Sequence, residues 1–108
     1  MSESFDIIVR VRYAETDKMG VVYYANYYIY FEIGRVEYMR NLGIDYRRME
    51  IEDDSFIVVA ESNCRYRRPA RYDDLLRIRT RVVRVKRRTI HFAYEIRHHE
   101  SGELLASG

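Results

Sequence analysis

Asp17 is the first residue in the chain whose type and setting suit catalysis. It stands just ahead of the longest uncharged stretch, Met19–Phe31, with only Lys18 between them. A carboxylate can serve as a general base or as a nucleophile. An Asp flanked by Thr16 and Gly20 can equally do no more than close a turn, and taken alone Asp17 supports the turn better. Seven of the eleven tyrosines fall between Tyr13 and Tyr38, although a cluster such as Tyr23, Tyr24, Tyr27, Tyr28 and Tyr30 serves core and interface packing as readily as substrate contact. Asn26 suits an N-terminal cap on a following helix. Glu61 either faces a site across a sheet or is a solvated strand residue. Cys64 has no base close in sequence and reads as a buried, inert thiol. His98 and His99 are neighbours on a strand and point to opposite faces, and His91 falls on a charged face, so the histidines suggest no metal site. Arg65, Arg67 and Arg68, and the Lys86-Arg87-Arg88 run, have the planar or cationic chemistry that grips phosphate. Basic hairpins also blunt sheet edges.

The elements that must position these groups follow from periodicity. Ile7, Val9, Val11 and Tyr13 alternate against Ile8, Arg10 and Arg12, which predicts a half-buried strand. Ala14 to Tyr24 has turn chemistry. A helix is expected from about Ala25 to Leu42, stopped by Gly43. Its first half is apolar nearly all round, which predicts burial, and Glu32, Arg35, Glu37 and Arg40 wet its second half. Gly34, costly in a helix interior by about 1 kcal/mol, predicts close packing against a sheet. Four strands should follow. Phe56–Arg68 ends before Pro69, and Leu76–Val82 alternates until a phase shift at Val83 and Val85 predicts a bulge. Ile90–Ile96 alternates next, and Glu103–Ala106 lies beyond a Ser101-Gly102 turn. One helix against one antiparallel sheet of about five strands is an α+β arrangement.

The 108 residues read as one domain, 1–108. A composition of 47% hydrophobic and 33% charged residues indicates neither a disordered tail nor a membrane protein, and thirteen uncharged residues are too few to cross a bilayer. MSESFD carries no secretory pattern, and one cysteine permits no intrachain disulfide. The expectation is a soluble cytoplasmic protein. Seventeen of the nineteen basic residues are arginine, yet seventeen acidic residues leave a net charge of only +2. That balance argues against a nucleic-acid binder.

Tyr13–Ile44 contains the run Asp17, Gly20, Val21, Val22, Tyr23, Tyr24, Ala25, Asn26, Tyr27, and Arg65–Ile78 contains Pro69-Ala70-Arg71-Tyr72-Asp73-Asp74. Both segments, in this order, closely resemble hotdog-fold acyl-CoA thioesterases, above all the 4-hydroxybenzoyl-CoA group and the group encoded with the Tol–Pal envelope system. The resemblance implies that Asp17 is the catalytic carboxylate. It places an oxyanion donor at a main-chain N–H near the helix start, here Tyr24, a type of donor worth about 2.7–4 kcal/mol of barrier. Gly20 would turn the loop beneath the substrate, Tyr13 and Tyr27 would line the acyl pocket, and Arg87 and Arg88 would hold coenzyme A. It further implies an acyl-CoA or acyl-carrier-protein substrate, no cofactor beyond the coenzyme A of that substrate, no metal and no membrane insertion, and a homodimer or homotetramer with the site at the subunit interface. The Tol–Pal group usually has histidine where Tyr24 stands, which leaves aryl and aliphatic acyl groups both open. The chain also stops at Leu105–Gly108, where family members usually continue the last strand. A rival reading is a non-catalytic acyl-CoA or acyl-carrier-protein binding module on the same fold, against which Asp17 itself counts. Hotdog dehydratases pair an acid with a histidine, and none lies near Asp17 in sequence.

Overall fold

The computed structural model describes residues 3–44, 47, 51 and 58–108. Strand β1 (Ser4–Arg10) is followed by two single 3-10 turns, Tyr13–Glu15 and Tyr24–Asn26, and by helix α1 (Tyr27–Asn41). Strands β2 (Arg65–Tyr66), β3 (Leu75–Val85), β4 (Ile90–His98) and β5 (Leu104–Ser107) complete one antiparallel sheet in the order β1-β3-β4-β5-β2. This is the α+β arrangement expected, with five strands and one long helix.

The strands show the alternation their sequences predict. Phe5, Ile7 and Val9 of β1 turn towards the helix while Asp6, Ile8 and Arg10 face water, and Leu76, Ile78, Thr80 and Val82 are buried along β3. The phase change at Val83 is a register shift between β3 and β4 at Val82 and Arg84. The tail of β3 is exposed beyond it.

Helix α1 buries Tyr27, Tyr30, Phe31, Gly34 and Tyr38, a spacing of three or four that keeps one stripe on the sheet. Burial is narrower than the sequence suggested, because Tyr28 and Ile29 stay exposed on the outer side. The helix stops where expected. Gly43 has φ +85°, its N–H bonds Arg40 O at 2.9 Å, and the Ile44 N–H bonds Met39 O at 2.9 Å, the paired bonds of a Schellman ending. At Gly34 an added Cβ would lie 2.5 Å from Thr80 Oγ1 and 2.9 Å from Ile78 Cγ2. Only glycine lets the helix settle this close on β3. The core continues through Phe31 stacked on Tyr94, with centroids 4.5 Å apart, into Ile96, Leu105 and Ala106.

Three local expectations fail. The predicted Phe56–Arg68 strand pairs only at Arg65–Tyr66, against β5. Residues 58–64 form no strand, and Phe56 and Ile57 lie outside the described residues. Tyr13 does not continue β1: the chain leaves the sheet at Arg10 and curls into a 3-10 turn that points its ring outward. Asn26 holds the N-cap position of α1 without capping it, since its side chain bonds elsewhere.

Candidate active site

Residues 16–22 form a small hairpin. Thr16 bridges Val22, the Asp17 N–H bonds Val21 O at 2.9 Å, and the Gly20 N–H closes back on Asp17 O at 3.0 Å. The exposed Asp17 side chain accepts the Met19 N–H at 2.8 Å, so it does close its own turn, as a loop aspartate can. Gly20 has φ +78° with open space where a Cβ would go. Glycine is favoured there by backbone conformation rather than by crowding.

This hairpin is fastened to the Pro69–Asp74 turn. The Val22 N–H bonds Ala70 O at 2.8 Å, the Tyr72 N–H bonds Gly20 O at 3.2 Å, and Val21 bridges Arg71. The turn is held in its own shape by Arg71 N–H on Asp74 Oδ2 at 2.9 Å and by Asp73 at φ +70°, a conformation aspartate tolerates better than most residues. The two sequence segments that carried the resemblance are therefore one hydrogen-bonded unit, although about fifty residues separate them along the chain.

The start of the helix forms the third side. Tyr66 Oη donates to Tyr24 O at 2.8 Å, and the Ala70 N–H donates to Tyr27 Oη at 3.1 Å. Tyr24 and Ala25 head a 3-10 turn, where the first N–H groups precede any acceptor within the turn. Among the described residues neither N–H has a hydrogen-bond acceptor, whereas the next one, Asn26, bonds Tyr23 O at 2.8 Å. Between these segments lies a groove of about 270 Å³ walled by Val22, Tyr24, Tyr27, Tyr66, Arg67, Arg68 and Pro69. Burial pushes the Tyr27 hydroxyl above its ordinary pKa, so it stays a neutral phenol. A larger hollow of about 570 Å³ runs along the sheet past Arg65, Arg67, Arg79, Arg81 and Glu95. It touches neither the 16–22 hairpin nor the helix start, and Arg79 is already paired to Asp6 through two bonds.

Of the residues singled out from sequence, Tyr24 and Tyr27 line the groove, while Asp17 and Gly20 sit on the hairpin whose Val22 also lines it, outside the lining themselves. Tyr13 is 78% exposed and meets Tyr72 edge-on at 5.8 Å, beside the Asp17 hairpin but outside the groove. Glu61 is exposed on the 58–64 segment and makes no hydrogen bond or ion pair among the described residues. Arg87 and Arg88 occupy the β3–β4 turn, closed by Lys86 N–H on Thr89 O at 2.8 Å. That turn lies a full length of β3 away from Ala70–Tyr72, eleven residues or about 35 Å. A single chain does not bring Arg87 and Arg88 to Asp17. Cys64 is half-buried, and that burial raises its pKa. His98 sits 3.7 Å from Asp74, and His99 Nδ1 lies 3.2 Å from the Arg77 guanidinium.

Sequence reasoning passed over Glu15. It is buried two residues before Asp17, and its Oε1 accepts both the Arg12 N–H at 2.9 Å and the Tyr30 hydroxyl at 2.8 Å. Its Oε2 accepts Arg12 Nε at 2.8 Å. Burial alone would raise its pKa; the Arg12 backbone and guanidinium and the Tyr30 hydroxyl outweigh that and hold it below the ordinary glutamate value. Nothing in the sequence marked it: the alternation of β1 ends at Arg10, and Glu15 is turned inward by the 3-10 turn beyond the strand.

Comparison with known proteins defines the class. The model of the thioesterase superfamily matches residues 19–105, and the chain belongs to that superfamily; its long helix on a five-stranded antiparallel sheet is the hotdog fold. It is 39% identical over 92 residues to the acyl-CoA thioesterase YbgC of Haemophilus influenzae, a match covering 85% of this chain and 68% of that protein. The crystal structure of a DHNA-CoA thioesterase from Staphylococcus aureus is 35% identical, with TM-score 0.91 over 96% of this chain and 68% of that one. A 4-hydroxybenzoyl-CoA thioesterase from Pseudomonas sp. strain CBS-3 shares the fold at 21% identity, with TM-score 0.88 over 98% of this chain and 80% of that one. The chain spans about two-thirds of the length of the curated relatives it matches.

Proposed function

We propose that this chain hydrolyses acyl-CoA thioesters to a free acid and coenzyme A, with Asp17 as general base or nucleophile and the main-chain N–H of Tyr24 as oxyanion donor. A thioester is already activated, so the reaction needs a carboxylate to take a proton from water or to attack directly, and a donor for the developing oxyanion. In the general-base form the water oxygen bonds the acyl carbon as Asp17 takes one water proton, the carbon–sulfur bond breaks, and the leaving thiolate takes that proton from Asp17 to leave as the thiol. The observation that carries the reading is the hydrogen-bonded union of the Asp17 hairpin with the Pro69–Asp74 turn, beside a 3-10 turn whose first two N–H groups are unspent. Gly20 shapes the hairpin, and Tyr27 and Tyr66 give the groove aromatic walls for an acyl group.

The same reading includes self-association, as a homodimer or homotetramer. Asp17 is exposed and Tyr24 is 61% exposed, whereas thioester chemistry gains from a covered, water-poor site. A second copy would supply that cover. It would also offer a route for Arg87 and Arg88 to reach the coenzyme from a neighbouring subunit, since their own hairpin lies far from Asp17. Acyl-carrier protein is an alternative carrier of the same thioester. A cytoplasmic location fits the lone cysteine, and no helix among the described residues is long and apolar enough to cross a membrane.

The test is thiol release from butanoyl-, decanoyl- and benzoyl-CoA by the parent chain and by Asp17→Asn. Asparagine keeps the shape and removes both base and nucleophile. We expect turnover in the parent and a loss of about 10²–10⁴-fold in the variant, with the variant still folded. Equal rates would remove Asp17 from the mechanism. Binding without turnover in the parent would favour the binding-module reading.

A further inference from the structure

We infer that Glu15 is a positioning residue for this reaction, setting the Asp17 hairpin and the oxyanion turn relative to each other. The inference rests on the thioesterase reading above. Glu15 links three pieces of backbone at one point. Its carboxylate binds the Arg12 N–H and guanidinium at the exit of β1 and the hydroxyl of Tyr30 in α1. Its main-chain carbonyl accepts the Tyr23 N–H at 2.9 Å and Asn26 Nδ2 at 2.9 Å. Those two donors bracket Tyr24 and Ala25, whose own N–H groups are unspent. Two residues further on, the chain reaches Asp17.

A buried carboxylate is expensive unless donors surround it. Glu15 meets that condition with three donors, of which the Tyr30 hydroxyl is itself almost fully buried. Such a network has one well-satisfied geometry and resists small displacements. A fold needing only stability at this point would do as well with an apolar pair in place of Glu15 and Tyr30. The carboxylate adds a fixed distance between the helix and the hairpin that carries Asp17. Reaction rates are sensitive to that distance, since a displacement of about 1 Å can cost roughly 10²-fold.

The experiment compares the parent with Glu15→Gln, Glu15→Leu, Tyr30→Phe and the double variant Glu15→Leu/Tyr30→Phe, on whichever of the three acyl-CoAs the parent turns over. Gln retains an acceptor for the Arg12 N–H and the Tyr30 hydroxyl, so it should keep kcat within about tenfold. Glu15→Leu should lose about 10²-fold in kcat with KM changed less than about threefold, because the groove residues are untouched. Glu15→Leu strands the Tyr30 hydroxyl and is expected to be less stable. The double variant removes both partners and should recover much of that thermal stability without recovering kcat. Stability and kcat returning together in the double variant would overturn the inference and leave Glu15 a purely structural group. So would a Glu15→Leu chain with parental kcat. If Glu15→Leu does not fold, the double variant and Tyr30→Phe still decide the matter: a parental kcat in the double variant overturns it, and a lowered kcat in a stable double variant sustains it. Failure of the thioesterase reading itself looks different, since the parent would then bind acyl-CoA without turning it over.

Discussion

The carboxylate at Glu15 has a consequence for stability that is separate from its effect on rate. Its pKa is held below the ordinary glutamate value of 4.5, so the unfolded chain takes up its proton at a higher pH than the folded one. The stabilisation is therefore complete well above pH 4.5 and drains away as pH falls through the lower, folded value. Glutamine at this position does not titrate. The parent should exceed Glu15→Gln by about 2 kcal/mol at pH 7, and the gap should narrow steadily as pH falls below about 4.5. Urea unfolding of both chains at pH 7, 5, 4 and 3 checks this, and a gap independent of pH would mean that Glu15 is not held as an ionised acceptor. Residues of this kind are the least legible from sequence. Asp17, Gly20, Tyr24 and Tyr27 stood out because the resemblance fell on them, while Glu15 was one of seventeen acidic residues with nothing to mark it as buried. Asn26 shows the complementary failure: its type and place suit a cap, but the Glu15 carbonyl competes for its side chain and wins. Tyr13 was placed inward by alternation that ends with the strand at Arg10.

Elements were easier to read, because periodicity and punctuation act locally. Gly43 stops α1 as its type predicts, Val83 marks the bulge, and Gly34 announces a close approach whose partner only the fold reveals. That partner is Thr80, whose hydroxyl is buried with no hydrogen bond of its own among the described residues. Gly34→Ala sets two effects against each other. Alanine should gain about 1 kcal/mol from helix propensity, but its methyl would stand 2.5 Å from Thr80 Oγ1 and 2.9 Å from Ile78 Cγ2. Both neighbours are β-branched residues fixed in a strand, so neither swings aside cheaply, and overpacking costs about 1–3 kcal/mol. The collision should win, lowering Tm by about 4–8 °C for each net kcal/mol. Thr80→Ala combined with Gly34→Ala should recover part of the loss, because the nearest clash disappears and the pair is coupled. A stabilised Gly34→Ala chain, read by thermal melting, would show that the helix sits further from β3 than described.

The weakest reading from sequence was the Phe56–Arg68 strand, and its failure concerns the whole molecule. A strand is defined by its partner, and among the described residues of one chain only Arg65–Tyr66 finds one, at the β5 end of the sheet. The residues just before it include Val58 at 80% and Val59 at 64% exposure, an apolar stretch of backbone leading into an edge strand. Exposed apolar edges are features that monomeric proteins ordinarily blunt with charge or proline; Glu61 and Arg65 bring charge to this segment, but Val58 and Val59 precede both. The sequence of this segment therefore suits a partner from outside the chain, in line with the proposed self-association. Replacing Val58 and Val59 together with lysine places charge on the edge while leaving Asp17, Tyr24 and the groove intact. Sedimentation should show the parent as a dimer or larger and the double-lysine chain shifted towards monomer. Because Asp17 is exposed in a single chain, turnover per chain should fall when assembly is lost and rise again at protein concentrations that restore it. A parent that sediments as a monomer and still turns over acyl-CoA would separate the chemistry from self-association. The Asp17 hairpin would then have to work in the open, with the substrate itself excluding water from the groove beside Tyr24.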